Sequence, residues 1–226
     1  MENCINITPY YIGIGGKAGA GKDTFGKMLQ YQLLTMGTGS FSDFTHEYSK
    51  DTHPYTIGKF AKSLKLITAL AIGCQPKDFE DQDFKTKKNI YGMTNRKLLI
   101  NIGKNIRDVH PDIWVNIALN DTLNMGYRGV IFTDMRFNNE YEKMDFTIRV
   151  VRKRRMTIWQ RIKSFFKMED ISEIALDNTP HDIHVVSNED SLEQLYKQSF
   201  VAYTTILGSN SYRRKYKQFD LLLNNL

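Results

Sequence analysis

The chain has only two cysteines in 226 residues, Cys4 and Cys74, and they are far apart and lack metal-ligand spacing. Nothing here suggests a disulfide framework, and this usage suits a reducing cytoplasm. No apolar run approaches the roughly 20 residues that a membrane-spanning helix requires, so a membrane is not expected as a partner. The amino terminus lacks a basic-then-apolar pattern, which argues against export. No internal repeat or low-complexity linker breaks the sequence, and it reads as one domain, 1–226. The five histidines form no catalytic pattern. His181 and His184 read as structural, and no Ser/His/Asp or Cys/His arrangement points to covalent catalysis.

The sequence does carry an excess of positive charge, formally +6. That balance suits an anionic partner without naming it; nucleic acid and nucleotides both qualify.

Short apolar runs alternate with helical patterns. Tyr10, Tyr11, Ile12 and Ile14 make a first strand, and Phe25, Met28, Leu29 and Leu33 then recur at helical spacing. The polar stretch from Met36 to His53 reads as a loop. Tyr55–Ile57 predicts a second strand, followed by a helix with Phe60, Leu64, Ile67 and Ala71 on one side, stopping near Gly73. Pro76 to Asn95 is polar and reads as exposed. Leu98, Leu99, Ile102 and Ile106 mark one further helix, and Trp114, Val115, Ala118 and Leu119 another. Val130–Phe132 has the compact apolar character of a buried parallel strand. Two more strands are expected at Ile148–Val151 and Ile183–Val186. Ser191 and Gln194 have capping-box spacing ahead of a closing helix carrying Leu192, Leu195 and Phe200. Strands alternating with helices predict an α/β fold of about five parallel strands with helices on both faces. The order of the strands does not follow from the pattern.

Gly16-Lys17-Ala18-Gly19-Ala20-Gly21-Lys22 has the glycine and lysine spacing of a phosphate-binding P-loop, between a strand and an amphipathic helix. Glycines let backbone N–H groups converge on phosphate oxygens, in conformations costly for a residue with a Cβ. The following helix turns its positive end to the same anions. Lys22 is placed to reach the β- and γ-phosphates as a point charge. Asp23 stands where a Ser or Thr hydroxyl usually meets magnesium, and Thr24 comes next. Either Thr24 gives a hydroxyl to a phosphate, or Asp23 helps to hold the metal directly or through water.

Asp134-Met135-Arg136 follows the central apolar strand, at the edge where open α/β sheets bind ligands. Asp134 is a candidate to orient hydrated Mg2+, and Arg136 to grip a phosphate through its planar fork; a salt bridge or helix cap is the competing reading of Asp134. Lys62 and Lys65 open the helix after the second strand, where they could receive an acceptor phosphate or simply form a solvated face. Arg107 could turn to a phosphate or complement its helix dipole. Trp114 reads as core ahead of a base-stacking platform. Alternation along the strand accounts for Arg149. Arg152, Lys153, Arg154 and Arg155 begin a basic insertion running through Arg161, Lys163 and Lys167, which reads as a cationic lid over 152–170. A solvated helix or a nucleic-acid contact competes with the lid.

Taken in order, these segments resemble the bacteriophage deoxynucleoside monophosphate kinases. The matching pieces are Gly21-Lys22-Asp23-Thr24, Phe60-Ala61-Lys62-Ser63-Leu64-Lys65, Leu98-Leu99 through Gly103 and Arg107 to Trp114-Val115, and Asp134-Met135-Arg136 with Glu140. Ser172-Glu173, Asp182 through Asn188 and Ser191-Leu192-Glu193 continue the series. The Asp23 departure belongs to that family's own P-loop. Met36 to His53, Pro76 to Lys88 and the tail 207–226 find no clear match.

The resemblance implies a P-loop NTPase three-layer fold with an acceptor-binding region and a basic lid. It also implies ATP-dependent transfer to the 5′-phosphate of a deoxynucleoside monophosphate, with Mg2+. On that reading Lys22, Arg107 and Arg136 are catalytic, and residues Gly16, Lys17, Ala18, Gly19, Ala20, Gly21, Lys22, Asp23 and Thr24 bind ATP. Lys62, Lys65, Arg107, Trp114 and Arg136 take the acceptor, Arg152, Arg154 and Arg155 act from the lid, and Asp23 and Asp134 serve the metal. The enzyme is expected in the cytoplasm, that of the host if it is of phage origin, with a homodimer left open. The competing readings are a P-loop kinase of another small phosphorylated metabolite and a nucleic-acid-stimulated ATPase. No separate nucleic-acid-binding module is visible, so nucleic acid is not the expected partner.

Overall fold

The structure, a computed structural model, describes residues 8–47, 54–123, 125–153, 176, 179–188 and 191–215. These gather into two compact units, Met1–Gly58 with Leu123–Leu226, and Lys59–Thr122. The lid arginines Arg154 and Arg155, with Arg161, Lys163, Lys167, Ser172 and Glu173, lie outside the described residues.

The first unit is built on five parallel strands: β1 (Tyr10–Gly15), β2 (Tyr55–Gly58), β3 (Gly129–Met135), β4 (Phe146–Lys153) and β5 (Ile183–Asn188). Their order across the sheet is β2-β3-β1-β4-β5. All six residues of β1 are buried, as a central strand of a parallel sheet requires. β1 pairs with β3 from Tyr10↔Gly129 and with β4 from Ile12↔Phe146. The chain thus places β2 and β3 on one side of β1, then crosses to the other for β4 and β5. That reversal makes the carboxyl end of β1 the switch point at which such sheets open a crevice.

Helix α1 (Lys22–Leu34) packs on one face of the sheet, burying Phe25, Met28, Leu29 and Leu33 against Ile12, Ile14 and Ile131. The closing helix α8 (Leu192–Gly208) joins the same core through Leu195, Tyr196, Ala202 and Ile206. On the opposite face Met135, Met144, Leu176 and His181 lie against Gly13 and Gly15. Five parallel strands with helices packed on them are consistent with the three-layer arrangement of P-loop proteins.

Three local expectations need correction. Within the segment read as a loop, α2 (Phe41–Glu47) forms. Ser40 Oγ accepts from the Asp43 amide and donates to the Asp43 carboxylate, a reciprocal cap, while Phe41 and Phe44 pack on Tyr196. Two turns are too few to show a periodicity. In the closing helix Leu192 and Phe200 face outward, and the buried stripe runs Leu195, Ser199, Ala202 and Ile206. Ser191 does cap that helix, accepting from the Gln194 amide at 3.0 Å. Pro76–Asn95, read as exposed, buries Phe79 completely.

The second unit packs α3 (Lys62–Ile72) with α5 (Asn95–Val109) and α6 (Ile113–Asn120). Between α3 and α5 comes a 3-10 turn, Pro76–Glu80, followed by the short α4 (Gln82–Thr86). The remaining helix, α7 (Asn138–Tyr141), follows β3 in the first unit.

At the amino edge of the sheet the segment that follows α8 packs against the starts of β1 and β2. Tyr212 is 8% exposed, its ring meets Tyr10 edge-on at 5.1 Å, and its hydroxyl pairs with that of Tyr55 at 3.0 Å. Lys215 bonds the Asp145 carboxylate at 2.5 Å and the Pro9 carbonyl at 2.9 Å. The Tyr212→Phe variant keeps the ring and deletes the buried hydroxyl bond, so it is expected to lose about 1 kcal/mol. A lower urea midpoint at unchanged slope is the predicted reading, and an unchanged midpoint contradicts it.

Candidate functional site

The turn from β1 into α1 is shaped by glycine. Gly19 and Gly21 adopt φ of 72° and 90°, a left-handed backbone that a Cβ makes costly. At Gly16 a Cβ would lie 2.2 Å from the Val150 carbonyl oxygen on β4, so nothing larger fits. The first bond of the α1 ladder runs from the Phe25 amide to the Gly21 carbonyl, 2.9 Å. The amides of Lys22, Asp23 and Thr24 therefore precede the ladder, at the helix's positive end.

Lys22 curls back over this loop, donating to the Gly16 carbonyl at 2.7 Å and the Lys17 carbonyl at 2.9 Å. Arg152, at the carboxyl end of β4, donates Nη1 to the Gly19 carbonyl at 3.1 Å. The first of the expected lid arginines thus touches the loop itself.

β3 reaches the same edge. Gly15 is in register with Met135 on one side and Arg149 on the other. Asp134 and Arg136 therefore flank a residue level with the last residue before the loop. Between Gly13↔Phe132 and Gly15↔Met135, β3 carries one residue more than β1. Such register shifts re-aim side chains and occur beside functional sites. Just before Asp134, the buried Thr133 donates its hydroxyl to Asp23 Oδ1 at 2.6 Å. Asp134 and Arg136 are both half-buried.

The Arg136 turn is held from below. Glu140 is 5% exposed, and Oε2 accepts from the amides of Arg136 at 2.6 Å and Phe137 at 3.1 Å. Arg149 is buried at 8% exposure rather than pointing outward from the strand. Burial, together with the positive Arg149 and the neighbouring His184, pushes the His181 imidazole below its ordinary value. The ring lies beneath Gly15, where it stands edge-on to Tyr141.

A hydrated Mg2+ suits these residues. The described residues gather no cluster of three or more His, Cys, Asp or Glu, so they offer no closed cage. They offer the Asp23 carboxylate at the start of α1 and Asp134 near the end of β3, and magnesium commonly takes one or two carboxylates and completes its shell with phosphate and water oxygens.

In the second unit, Lys62 pairs with Asp121 at 3.1 Å and Lys65 with Glu80 at 2.6 Å. Arg107 lies in the last turn of α5, one turn beyond Gly103, where a Cβ would come within 3.1 Å of Leu64. Trp114 is 4% exposed and donates Nε1 to the Gly103 carbonyl at 3.1 Å, which is the packing role. Among the described residues no helix is long and apolar enough to cross a membrane.

No protein-family model matches the chain, and no curated protein matches it.

Thr133 and Arg149 are not legible in the sequence as site residues, and Glu140 only as part of a motif. Thr133 looks like any β-branched strand residue. An arginine inside an apolar strand, as at Arg149, is the one signal that sets a residue apart there. Replacing Glu140 by Ala leaves the Arg136 and Phe137 amides without this acceptor, at a cost of about 2 kcal/mol. Urea unfolding checks this, and wild-type stability in Glu140→Ala contradicts the account of the turn.

Proposed function

We propose that the protein is an ATP-dependent kinase of deoxynucleoside 5′-monophosphates, of the kind the phage enzymes represent. The observation carrying this reading is the glycine-shaped loop with Lys22 folded over it, in register with Asp134-Met135-Arg136 on the neighbouring strand. One polyanion is accommodated by the loop, and Arg136, next to the Met135 that is in register with Gly15, offers a second anion-binding group.

The transfer needs little proton chemistry, because the attacking oxygen of the acceptor phosphate is already anionic. A bond forms from that oxygen to the γ-phosphorus, the bond from the γ-phosphorus to the β,γ-bridging oxygen breaks, and its electron pair leaves on ADP. The barrier is the approach of two highly charged anions, which cations and oriented amides lower. Lys22 and the amides of the loop bind the donor's phosphates. Arg136, its turn held by Glu140, binds and orients the acceptor phosphate. Arg152 stands at the loop to neutralise charge on the transferring group. Asp23 and Asp134 would hold a Mg2+ bound with ATP, and the ion would supply charge neutralisation to the donor's phosphates.

In the second unit Lys62, Lys65 and Arg107 are proposed to bind phosphate. The two lysines would exchange Asp121 and Glu80 for phosphate. Trp114, by its burial, contributes packing.

The Lys22→Ala variant is expected to lose phosphoryl transfer by a factor of 100 or more, roughly the scale of one preorganised charge at a transition state, while its thermal unfolding stays near wild type. Full activity in that variant removes the assignment of the loop. Arg136→Ala is expected to raise KM for the monophosphate acceptor about tenfold or more with little change in KM for ATP. An unchanged acceptor KM removes Arg136 from that role. The substrate class itself is tested by coupled ADP release with a panel of acceptors. Turnover with deoxynucleoside monophosphates supports the proposal. Turnover only with another phosphorylated metabolite, or only with DNA, replaces it.

A further inference from the structure

P-loop proteins commonly hold their metal between a hydroxyl on the loop and a carboxylate on a neighbouring strand. Here the loop contributes a carboxylate, Asp23, and the neighbouring strand contributes a hydroxyl, Thr133, joined at 2.6 Å. The hydroxyl–carboxylate partnership is present with its two members exchanged.

Packing fixes the orientation of Thr133. It is 1% exposed. A Cβ added at Gly26, on the same helix as Asp23 and three residues further along, would lie 2.4 Å from Thr133 Cγ2. The helix therefore comes down on the threonine methyl, and a glycine is needed there. With the methyl set against Gly26, the hydroxyl is directed at Asp23. A threonine has one hydroxyl proton, and donating it to Oδ1 anchors that oxygen of the carboxylate.

We infer that Thr133 is the positioning residue for Asp23: it orients the loop carboxylate toward the metal of a bound metal–nucleotide complex. This rests on the nucleotide reading of the loop. The alternative is that the bond only ties α1 to the sheet, in which case the variant affects stability but not the metal dependence of binding.

The test is calorimetric titration of the full chain with ATP, without acceptor, across a series of Mg2+ concentrations and in EDTA. Wild type, Thr133→Val, Thr133→Ser and Asp23→Asn are compared, with Thr133→Val also placed in the Asp23→Asn background. Thr133→Val is expected to raise the Mg2+ concentration for half-maximal tightening by about tenfold, the scale on which orienting partners of metal ligands act. Its ATP affinity in EDTA stays at the wild-type value, Thr133→Ser follows wild type, and Thr133→Val adds no shift to Asp23→Asn. A wild-type Mg2+ midpoint in Thr133→Val overturns the inference. So does an equal loss in EDTA, or a further shift in the Asp23→Asn background. If Thr133→Val does not fold, Thr133→Cys keeps the volume, weakens the donor and is judged by the same outcomes. A wild type that binds no nucleotide sinks the reading of the loop and this inference with it. Wild-type binding with an unaltered variant sinks the inference alone.

Discussion

Two backbone approaches hold the candidate site together. At the first, Gly16 passes the Val150 carbonyl of β4 so closely that no side chain fits between them. At the second, α1 settles onto Thr133 of β3 at Gly26. The loop is thereby held against the strand on one side of β1, and the helix it leads into is held against the strand on the other. Lys22 and Asp23 lie between these two points, so their positions follow from the sheet rather than from the loop's own stiffness.

The two edges of the sheet are treated differently. At the amino edge, aromatic rings and hydroxyls interlock: Tyr10, Tyr55 and Tyr212 share hydrogen bonds and ring contacts, and Lys215 and Asp145 close the corner. That edge uses burial and paired charge to tie the segment after α8 to the start of β1. At the carboxyl edge, Lys22 and Arg152 bond carbonyl oxygens of the loop itself. Contacts to neutral carbonyls can be exchanged for stronger ones with a phosphate, because a full negative charge attracts a cation more strongly than a carbonyl dipole does. The chemistry suited to anions therefore collects at the edge where the topology opens.

Much of this arrangement is legible in the amino-acid sequence. The glycine and lysine spacing marks the loop, and apolar runs locate all five strands, most plainly β1 and β3, because a buried parallel strand must be apolar on both faces. Strand order is not readable: β3 inserts between β2 and β1 through pairings with β1 more than a hundred residues apart, which no local pattern encodes. The buried face of α8 escapes the apolar pattern because its middle is Ser199 and Ala202, small residues that carry little apolar signal. Thr133 is hidden for a related reason. Its importance lies in what it meets across the sheet, Asp23 and Gly26, and neither partner is visible from Val-Ile-Phe-Thr. Trp114 is legible as core, since a large ring between apolar neighbours more often fills space than greets a ligand.

The central claim is that the loop from Gly16 to Thr24 is the seat of a nucleoside triphosphate. A crystal structure with Mg2+ and a non-hydrolysable ATP analogue tests it most directly. The account predicts the β- and γ-phosphates within the loop, against the amides that precede the α1 ladder, with Lys22 Nζ moved from the Gly16 and Lys17 carbonyls onto phosphate oxygens. A triphosphate bound elsewhere, with Lys22 still on those carbonyls, would contradict it.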